Sequence, residues 1–166
     1  MGFDEYVRDR GQALLRFAYL LTGDQHLAED LVQTALLKAH SRWRRVVAAD
    51  HPDAYLRRIV VNAHVDFRRR RSSTEVPLRP GDAWFESASS ADHADGVAAR
   101  AQTWGALAAL PPRQRAVLVL RFYEDRDDRS IAELLGCAES TVRSQASRAL
   151  SSLRATWAEP KESTGE

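Results

Sequence analysis

The chain has 166 residues, which is the size of one ordinary domain or of two small ones. Apolar residues make up 44% and charged residues 28%, and 24 basic against 23 acidic side chains nearly cancel, so a wholly disordered chain is excluded. No apolar run reaches the roughly 18 residues that cross a bilayer, and the polar start is unlike a secretory signal, so we expect a cytoplasmic protein. A single cysteine, Cys137, excludes an internal disulfide and a paired-thiol zinc site.

The first two predicted helices cover residues 3–22 and 25–43, where apolar side chains recur at helical spacing on either side of Gly23 and Asp24. In the second helix one apolar stripe faces the core, and Leu37 stands alone on the opposite, polar face. A single exposed leucine is common on protein surfaces, so the residues alone give it no function. Its neighbours on that face are Asp30, Gln33, Thr34 and Ser41.

A third helix is predicted over residues 54–71, after a break at residues 45–53. One face is apolar, and the other carries two adjacent rows of residues, each of which begins and ends with an arginine. Asp66 is the only acid in this helix, whereas a solvated helix face usually mixes charges of both signs. We therefore interpret the basic face as a contact for nucleic acid. The apolar face comprises Leu56, Ile59, Val60, Ala63 and Phe67; the two rows comprise Arg57, Val61, His64 and Arg68 and, beside them, Arg58, Asn62, Val65 and Arg69.

Residues 72–96 differ in composition from the segments on both sides. They are rich in Ser, Ala, Asp, Gly and Pro and have no sustained apolar periodicity, which is typical of a linker. Five acids accompany a single base, Arg79, whereas the flanking segments are basic. We therefore predict a flexible acidic linker between a body at 1–71 and a body at 97–157, with a disordered tail at 158–166. The five acids are Glu75, Asp82, Glu86, Asp92 and Asp95.

The second body begins with two predicted helices, residues 97–110 and 112–124. They are hinged at Leu110, Pro111 and Pro112, because proline fits the first turn of a helix and not its interior. The core residues expected from this pair are Ala116, Val117, Leu118, Leu120 and Phe122.

A helix-turn-helix pattern completes the second body. A short helix capped by Asp127 or Asp128 ends at Gly136, and a longer helix, residues 140–157, contains no acid. Its outward face of Ser, Thr, Gln and Arg suits phosphates and base edges, so we expect it to contact DNA. The expected buried residues are Val142, Ala146, Ala149, Leu150, Leu153 and Trp157; Ser140, Thr141, Ser144, Ser147 and Arg148 face outward, with Arg143 and Gln145 on the flanks.

Four sequence blocks in order carry a family resemblance: AEDLVQTALLKAHSRW, AYLRRIVVNAHVDFRRRR, LAALPPRQRAVLVLRFYED and SIAELLGCAESTVRSQASRAL. Together they closely resemble the small two-domain sigma factors of bacterial RNA polymerase, the extracytoplasmic-function (ECF) type. The resemblance implies an all-α chain with sigma domain 2 at 1–71 and sigma domain 4 at 97–157. It implies a non-enzymatic factor that directs core polymerase to promoters and assists melting, without cofactor or metal. The implied partners are core RNA polymerase, promoter DNA and, commonly in this family, an anti-sigma factor.

The resemblance also assigns roles to matching residues. Leu37 becomes an apolar anchor in a polar rim, on the helix that grips the clamp coiled coil of the polymerase. The arginine-faced helix resembles the element that captures the melted −10 strand, residues 45–53 resemble the specificity loop, and the last helix resembles the −35 reader. The implied polymerase-binding residues are Asp30, Gln33, Thr34 and Leu37; the −10 residues are Arg57, Arg58, Asn62, His64, Arg68 and Arg69; the −35 residues are Thr141, Arg143, Ser144, Gln145, Ser147 and Arg148.

Two features limit what the resemblance implies. Gln145 and Ser147 depart from the family pattern, in which a basic residue and a larger polar residue are common, so the preferred base does not carry over. The acidic linker would thread the polymerase cleft and mimic nucleic acid there, or it would act as a passive tether. The residues favour neither linker role over the other.

Two other classes of protein are alternatives. A stand-alone helix-turn-helix repressor or activator would use residues 1–71 for dimerisation or effector binding, which explains the last helix and not the arginine-faced one. A metal nuclease would use His51, Asp53, His64 and Asp66 as ligands. His64 and Asp66 are about 160° apart around a helix, so they do not meet at one metal locally.

Overall fold

The computed structural model describes residues 1–49, 51–72 and 103–158, and all regular secondary structure in these ranges is helical. The all-α prediction is therefore confirmed for this part of the chain. Within it, residues 1–72 form an N-terminal body and residues 103–158 a C-terminal body. The predicted linker, apart from Ser72, lies outside the described residues, as do residues 97–102 and 159–166. The helices are α1 (Phe3–Thr22), α2 (Gln25–His40), α3 (Trp43–Ala48), α4 (Pro52–Ser72), α5 (residues 103–108), α6 (Pro112–Leu118, continued by a π-helical turn at Val119–Tyr123), α7 (Asp128–Leu135) and α8 (Glu139–Ala158).

The predicted boundary between the first two helices is confirmed. Gly23 ends α1 with a left-handed backbone (φ 66°), a conformation that glycine adopts without steric strain, and its N–H donates to the Tyr19 carbonyl. Asp24 caps α2, because its side chain accepts a 3.0 Å hydrogen bond from the Leu27 N–H. The two helices therefore reverse direction within two residues, and their apolar stripes face each other.

The predicted end of α2 at Trp43 is wrong, because Trp43 instead opens α3. Its ring packs edge-on against Phe3, with ring centroids 5.3 Å apart, and lies 5.2 Å from Tyr6. The indole N–H donates to the Met1 carbonyl. These aromatic contacts fix a short helix where the sequence predicted an irregular break, so α3 takes up Arg45 to Ala48 of the predicted break and α4 takes up Pro52 and Asp53.

Helix α6 of the C-terminal body begins where the prolines predicted, with Pro112 in its first turn. The expectation that Phe122 is buried is wrong, because the end of this helix is a π-helical turn. The Glu124 N–H donates to the Val119 carbonyl, five residues back, and the extra residue rotates the following side chains around the axis. Phe122 and Tyr123 are therefore exposed, and Glu124 turns toward the N-terminal body.

The helix-turn-helix prediction is confirmed, with Asp127 as the cap of α7 and Gly136 as its left-handed end (φ 67°). The buried side of α8 holds Val142, Ala146, Ala149 and Leu153. Trp157 was expected on this side and is exposed, because it lies one turn beyond Leu153, the last buried residue of the helix.

The two bodies pack against each other through α4. One side of α4 contacts α1 and α2, and the other contacts α6 and α7. A single cluster of buried apolar residues runs through both bodies, joining α1, α2 and α4 to α6, α7 and α8. A second, smaller cluster of Ala106, Leu110, Leu118, Ala149 and Leu153 lies within the C-terminal body. The predicted binding surfaces therefore differ in their exposure to solvent. One side of α2 and of α8 is exposed, whereas α4 is covered on two sides.

Candidate polymerase and nucleic-acid interfaces

The outward side of α2 carries the polar patch that the sequence predicted. Ala28, Leu31, Val32, Ala35 and Ala39 are buried on the opposite side and fix the rotation of the helix. Leu37 is 74% exposed, so it contributes little to the fold and is available to a partner. We call this surface the Leu37 patch; it comprises Asp30, Gln33, Thr34 and Leu37, all exposed.

The outward side of α8 offers a face rich in hydrogen-bond donors. Five of the six predicted −35 residues are exposed and Gln145 is half-buried. Arg143 lies 3.7 Å from the Glu139 carboxylate one turn earlier, an exposed pair that contributes little to stability and leaves the arginine free to move. We call this surface the α8 face; it comprises Thr141, Arg143, Ser144, Gln145, Ser147 and Arg148.

A basic cavity adjoins the α8 face. It has a volume of about 330 Å³ and is lined by Arg121 at the π-helical turn, Asp128 at the start of α7, and the side of α8 that carries Arg143 and Arg154. Arg121 is held by an ion pair with Asp128. The positive side chains around this cavity extend the basic surface beyond the residues that the sequence singled out.

The predicted basic face of α4 is only partly exposed, which corrects the sequence analysis. Arg58, Asn62 and Arg69 are exposed and Arg68 is half-buried. Arg57 is only 7% exposed and His64 only 3%, so the row that contains them does not face solvent. The physical reason is that the C-terminal body packs on this row.

Arg57 is held by acids from both bodies. Its Nε and Nη2 atoms both lie 2.7 Å from Oε1 of Glu124, and its Nη1 lies 3.5 Å from Asp53. The guanidinium also lies over the Phe17 ring, 5.4 Å from its centroid. Glu124 in turn accepts from Arg126. A charged pair this deeply buried needs such partners, since an unpaired charge there is strongly destabilising.

Arg115 is the second buried arginine between the two bodies. We call the contact of α6 and α7 with α1 and α4 the junction. Its Nε donates a 2.7 Å hydrogen bond to the Leu20 carbonyl, one of the last four carbonyls of α1, which lack partners within their own helix. Its guanidinium lies 5.5 Å from the centroid of Trp104. Burial, and then the charge of Arg68, lower the pKa of Arg115 to about 10, so the side chain stays charged at pH 7.

Arg115 and Glu124 were not among the residues predicted from the sequence. Arg115 lies on α6 and Glu124 directly follows its π-helical turn, and charged side chains are usually solvated. Their partners, Leu20 and Arg57, lie 95 and 67 residues away along the chain. No local pattern predicts contacts at that separation, so sequence periodicity offered no signal for them.

His64 is buried at the same junction. Burial, and then the charges of Arg68 and Arg115, lower the pKa of its imidazole to about 4, and a hydrogen bond to the Leu21 backbone opposes them. The ring is therefore neutral at pH 7. Arg57, Arg115 and Glu124 are therefore charged groups at the junction, whereas His64 is a neutral polar group there.

Acidification is expected to weaken the fold through His64. The folded pKa lies below the unfolded value, so the unfolded state binds the extra proton and stability falls as the pH drops from about 6.5 toward 4. Between pH 7.5 and 4.5 this amounts to roughly 2 to 3 kcal/mol in the unfolding free energy. Urea unfolding of the wild type and of His64→Gln over this range measures it, and the variant should lose less stability. Equal losses in both proteins would show that His64 is not the group responsible.

The proposed nuclease ligands do not converge in the structure. Asp53 accepts a 2.7 Å hydrogen bond from the Tyr6 hydroxyl and pairs with Arg57. Across residues 1–49, 51–72 and 103–158, no three His, Cys, Asp or Glu side chains are grouped to hold a metal ion. Among the helices in the same ranges, none combines the length and apolar character that a bilayer span requires.

Comparison with known proteins gives consistent matches. The family model for Sigma-70 region 2 matches residues 6–74, and the one for Sigma-70 region 4 matches residues 100–153. The RNA polymerase sigma-E factor of Streptomyces avermitilis is 40% identical over 152 residues, which cover 92% of this chain and 83% of that protein. The ECF RNA polymerase sigma factor SigL of Mycobacterium tuberculosis is 32% identical over 158 residues, 95% of this chain and 87% of that one.

A solved structure resembles the chain across both bodies. The sigma factor RpoE from Bartonella quintana, in its complex with the anti-sigma factor NepR, has a TM-score of 0.73 and 26% identity. The match covers 93% of this chain and 96% of RpoE. A stand-alone helix-turn-helix regulator does not account for the region 2 match over the N-terminal body. The chain therefore belongs to the ECF family of RNA polymerase sigma factors, with sigma domains 2 and 4.

Proposed function

We propose that this sigma factor works through three surfaces, one for core polymerase and two for promoter DNA. The Leu37 patch binds the polymerase, α4 holds the melted −10 strand, and the α8 face reads the −35 element. The observation that carries the proposal is that the α8 face and the Leu37 patch are both exposed on helices whose opposite sides are buried. The chain supplies binding energy, and the chemistry of RNA synthesis belongs to the polymerase. We place its action in the cytoplasm, where that polymerase transcribes.

The α8 face suits the major groove of duplex DNA. A helix fits that groove, and residues near its N-terminus reach the base edges. Arg143 is the fifth residue of α8, so it lies in this part of the helix, together with Thr141 and Ser144. Arginine donors aimed at phosphates would add affinity without sequence preference, whereas donors aimed at base edges add discrimination.

The exposed part of α4 suits a single strand. Arg58, Asn62 and Arg69 are accessible. Arginines spaced along a helix can bind successive phosphates of a single strand while its bases remain unpaired. Bases released by melting would be held on this side, and residues 45–53, which resemble the specificity loop, would read them. The −10 and −35 contacts belong to one chain, so the second contact forms at a high effective concentration after the first.

We also propose an anti-sigma factor as a partner. The support is the RpoE structure, whose chain is bound by NepR and resembles this chain over both bodies. An inhibitor that contacts both bodies at once would hold the arrangement seen here.

Transcription by core polymerase tests the proposed function. Genomic fragments are transcribed with and without the purified full-length protein, and start sites are mapped. We expect discrete new starts only when the protein is present. A parallel assay measures binding of the protein alone to the same fragments. Tight binding of the protein alone, with no new starts, would contradict the proposal and favour the stand-alone regulator.

A further inference from the structure

The connection between α3 and α4 is short, and both of its ends are held by α1. Helix α3 ends at Ala48 and α4 begins at Pro52, so only three residues, 49–51, join the two helices. They belong to the segment 45–53 that is proposed to read the −10 bases. A connection of this length has little conformational freedom once both flanking helices are fixed. The contacts that fix the two helices therefore determine how the segment is presented to DNA.

Trp43, the first residue of α3, is held by the N-terminal end of the chain. The centroid of its ring lies 5.2 Å from that of Tyr6 and 5.3 Å from that of Phe3, and both ring pairs are inclined rather than parallel. The indole N–H donates a 3.2 Å hydrogen bond to the Met1 carbonyl. Inclined aromatic pairs at these separations are attractive, so they fix the position where α3 begins.

Asp53, the second residue of α4, is held by the hydroxyl of the same tyrosine. This hydroxyl donates a 2.7 Å hydrogen bond to Oδ1 of Asp53, and the Tyr6 side chain is buried, so water competes little for the contact. Burial, and then the hydrogen bond to Asp53, raise the pKa of the Tyr6 phenol, which therefore remains a donor at neutral pH. Arg57 lies 3.5 Å from the same oxygen, but it belongs to α4 itself and does not join α4 to α1.

We propose that Tyr6 is a positioning residue for the selection of −10 bases, with its ring holding the start of α3 and its hydroxyl holding the start of α4. The inference rests on the proposed role of residues 45–53 as the segment that reads these bases. The Tyr6 side chain is buried, so it does not contact DNA itself. Its effect on the promoter passes through Trp43 and Asp53, on the two sides of the connection.

Base selection should be more sensitive than DNA affinity to the loss of the Tyr6 hydroxyl. Discrimination between bases depends on hydrogen bonds with narrow limits of distance and angle, so a segment held less firmly discriminates less well. Phosphate contacts supply most of the affinity and carry no sequence information. Tyr6 also belongs to the apolar core, and a role in the core alone would lower stability and leave base preference unchanged. The two roles therefore give different results.

The test uses holoenzyme formed from core polymerase and the full-length protein. Tyr6→Phe removes the hydroxyl and keeps the ring that packs against Trp43. Asp53→Ala removes the acceptor, whereas Asp53→Asn keeps an acceptor oxygen. The matched control is Thr22→Val, which removes a hydrogen-bonded hydroxyl at the other end of α1, about 24 Å away along the helix. Urea unfolding of each protein compares the stabilities of the variants and the control.

Transcription from a pool of promoters randomised in the −10 element measures the base preference at each position. We expect Tyr6→Phe and Asp53→Ala to lower the preference at the position read by residues 45–53 about fivefold relative to the control. Asp53→Asn should keep most of the preference. The double variant Tyr6→Phe/Asp53→Ala should lose no more than either single variant, since both changes break the same contact. A second pool, randomised in the −35 element, should show unchanged preferences.

Three outcomes would overturn the inference. Tyr6→Phe would select −10 bases as the control does, or it would lose −10 and −35 preference alike, or the losses of the two single variants would add in the double variant. The first assigns Tyr6 to the core alone, the second indicates general damage, and the third separates Tyr6 from Asp53. Failure of the proposed function is distinguishable, because the wild-type holoenzyme would then give no new transcription starts or show no −10 preference.

Discussion

Replacing Leu37 by Asp is expected to lower the affinity of the chain for core polymerase by about 100-fold, or about 3 kcal/mol. Leu37 is an apolar side chain, 74% exposed, at the centre of polar neighbours, which is the anatomy of an interface anchor. A carboxylate at this position loses the apolar contact and must also be desolvated in the complex. The fold should be nearly unaffected, since an exposed substitution changes stability by about 0.5 kcal/mol or less.

Two further variants make this measurement specific. Gln12→Asp adds the same charge at an exposed position of α1, outside the Leu37 patch, and should bind polymerase like the wild type. Leu37→Met keeps an apolar side chain of similar volume and should retain most of the affinity. Titration of each labelled protein with core polymerase gives the Kd. Unchanged affinity in Leu37→Asp, or an equal loss in Gln12→Asp, would remove Leu37 as the anchor.

The exposure of Leu37 was predictable because it depends only on local geometry. The apolar stripe of α2 fixes which side is buried, and Leu37 falls opposite. The same reasoning placed Val142 and Ala146 inside and the α8 face outside. Successive side chains of a helix are rotated by a fixed angle, so the position of the buried apolar stripe also determines which residues are exposed on the opposite side. The partner for the exposed side came from the family resemblance, because periodicity carries no information about partners.

The same reasoning failed for α4 because two sides of this helix are buried. Its apolar stripe predicted one buried side, and the basic rows on the other side were interpreted as an accessible contact for nucleic acid. One of these rows contains Val61 among Arg57 and His64, and all three are buried. Buried polar side chains look like surface residues in a sequence until their partners are known. The partners here, Glu124 and Arg115, belong to the other body.

Irregular local structure accounts for the smaller errors. The π-helical turn shifts the phase of the helix after Val119, so a strict 100° periodicity places Phe122 on the wrong side. Trp43 fits the stripe of α2 by spacing, yet its contacts with Phe3 and Tyr6 start a new helix. In both cases the side-chain periodicity was correct up to the last turn of the regular helix.

The second large effect is expected on the α8 face, where Arg143 and Arg148 should have different roles. They are five residues apart, which places them about 7.5 Å apart along the helix and about 140° apart around it. Both cannot reach the same base edge. Arg143 lies near the N-terminus of α8, which enters the groove, so we assign it to a base, and Arg148 to a phosphate.

Promoter binding by the holoenzyme separates these roles. Arg143→Ala should weaken binding to a matched −35 element by about 10- to 100-fold, which corresponds to about 1 to 3 kcal/mol, and should reduce the preference over a mutated element. Arg148→Ala should weaken binding to both elements by the same factor and lower the salt dependence by about one counterion. Arg154→Ala, about 16 Å beyond Arg143 on the same helix, is the control and should change the −35 preference little.

The pattern of losses across the two promoters decides the assignment. A base contact is lost only where its base is present, whereas a phosphate contact is lost everywhere, since every sequence carries the same backbone charge. Equal weakening of both promoters by Arg143→Ala would therefore exclude a base contact for Arg143. If Arg148→Ala changed the preference between the two −35 elements, the base contact would be assigned to Arg148, about one and a half turns further along α8 than Arg143.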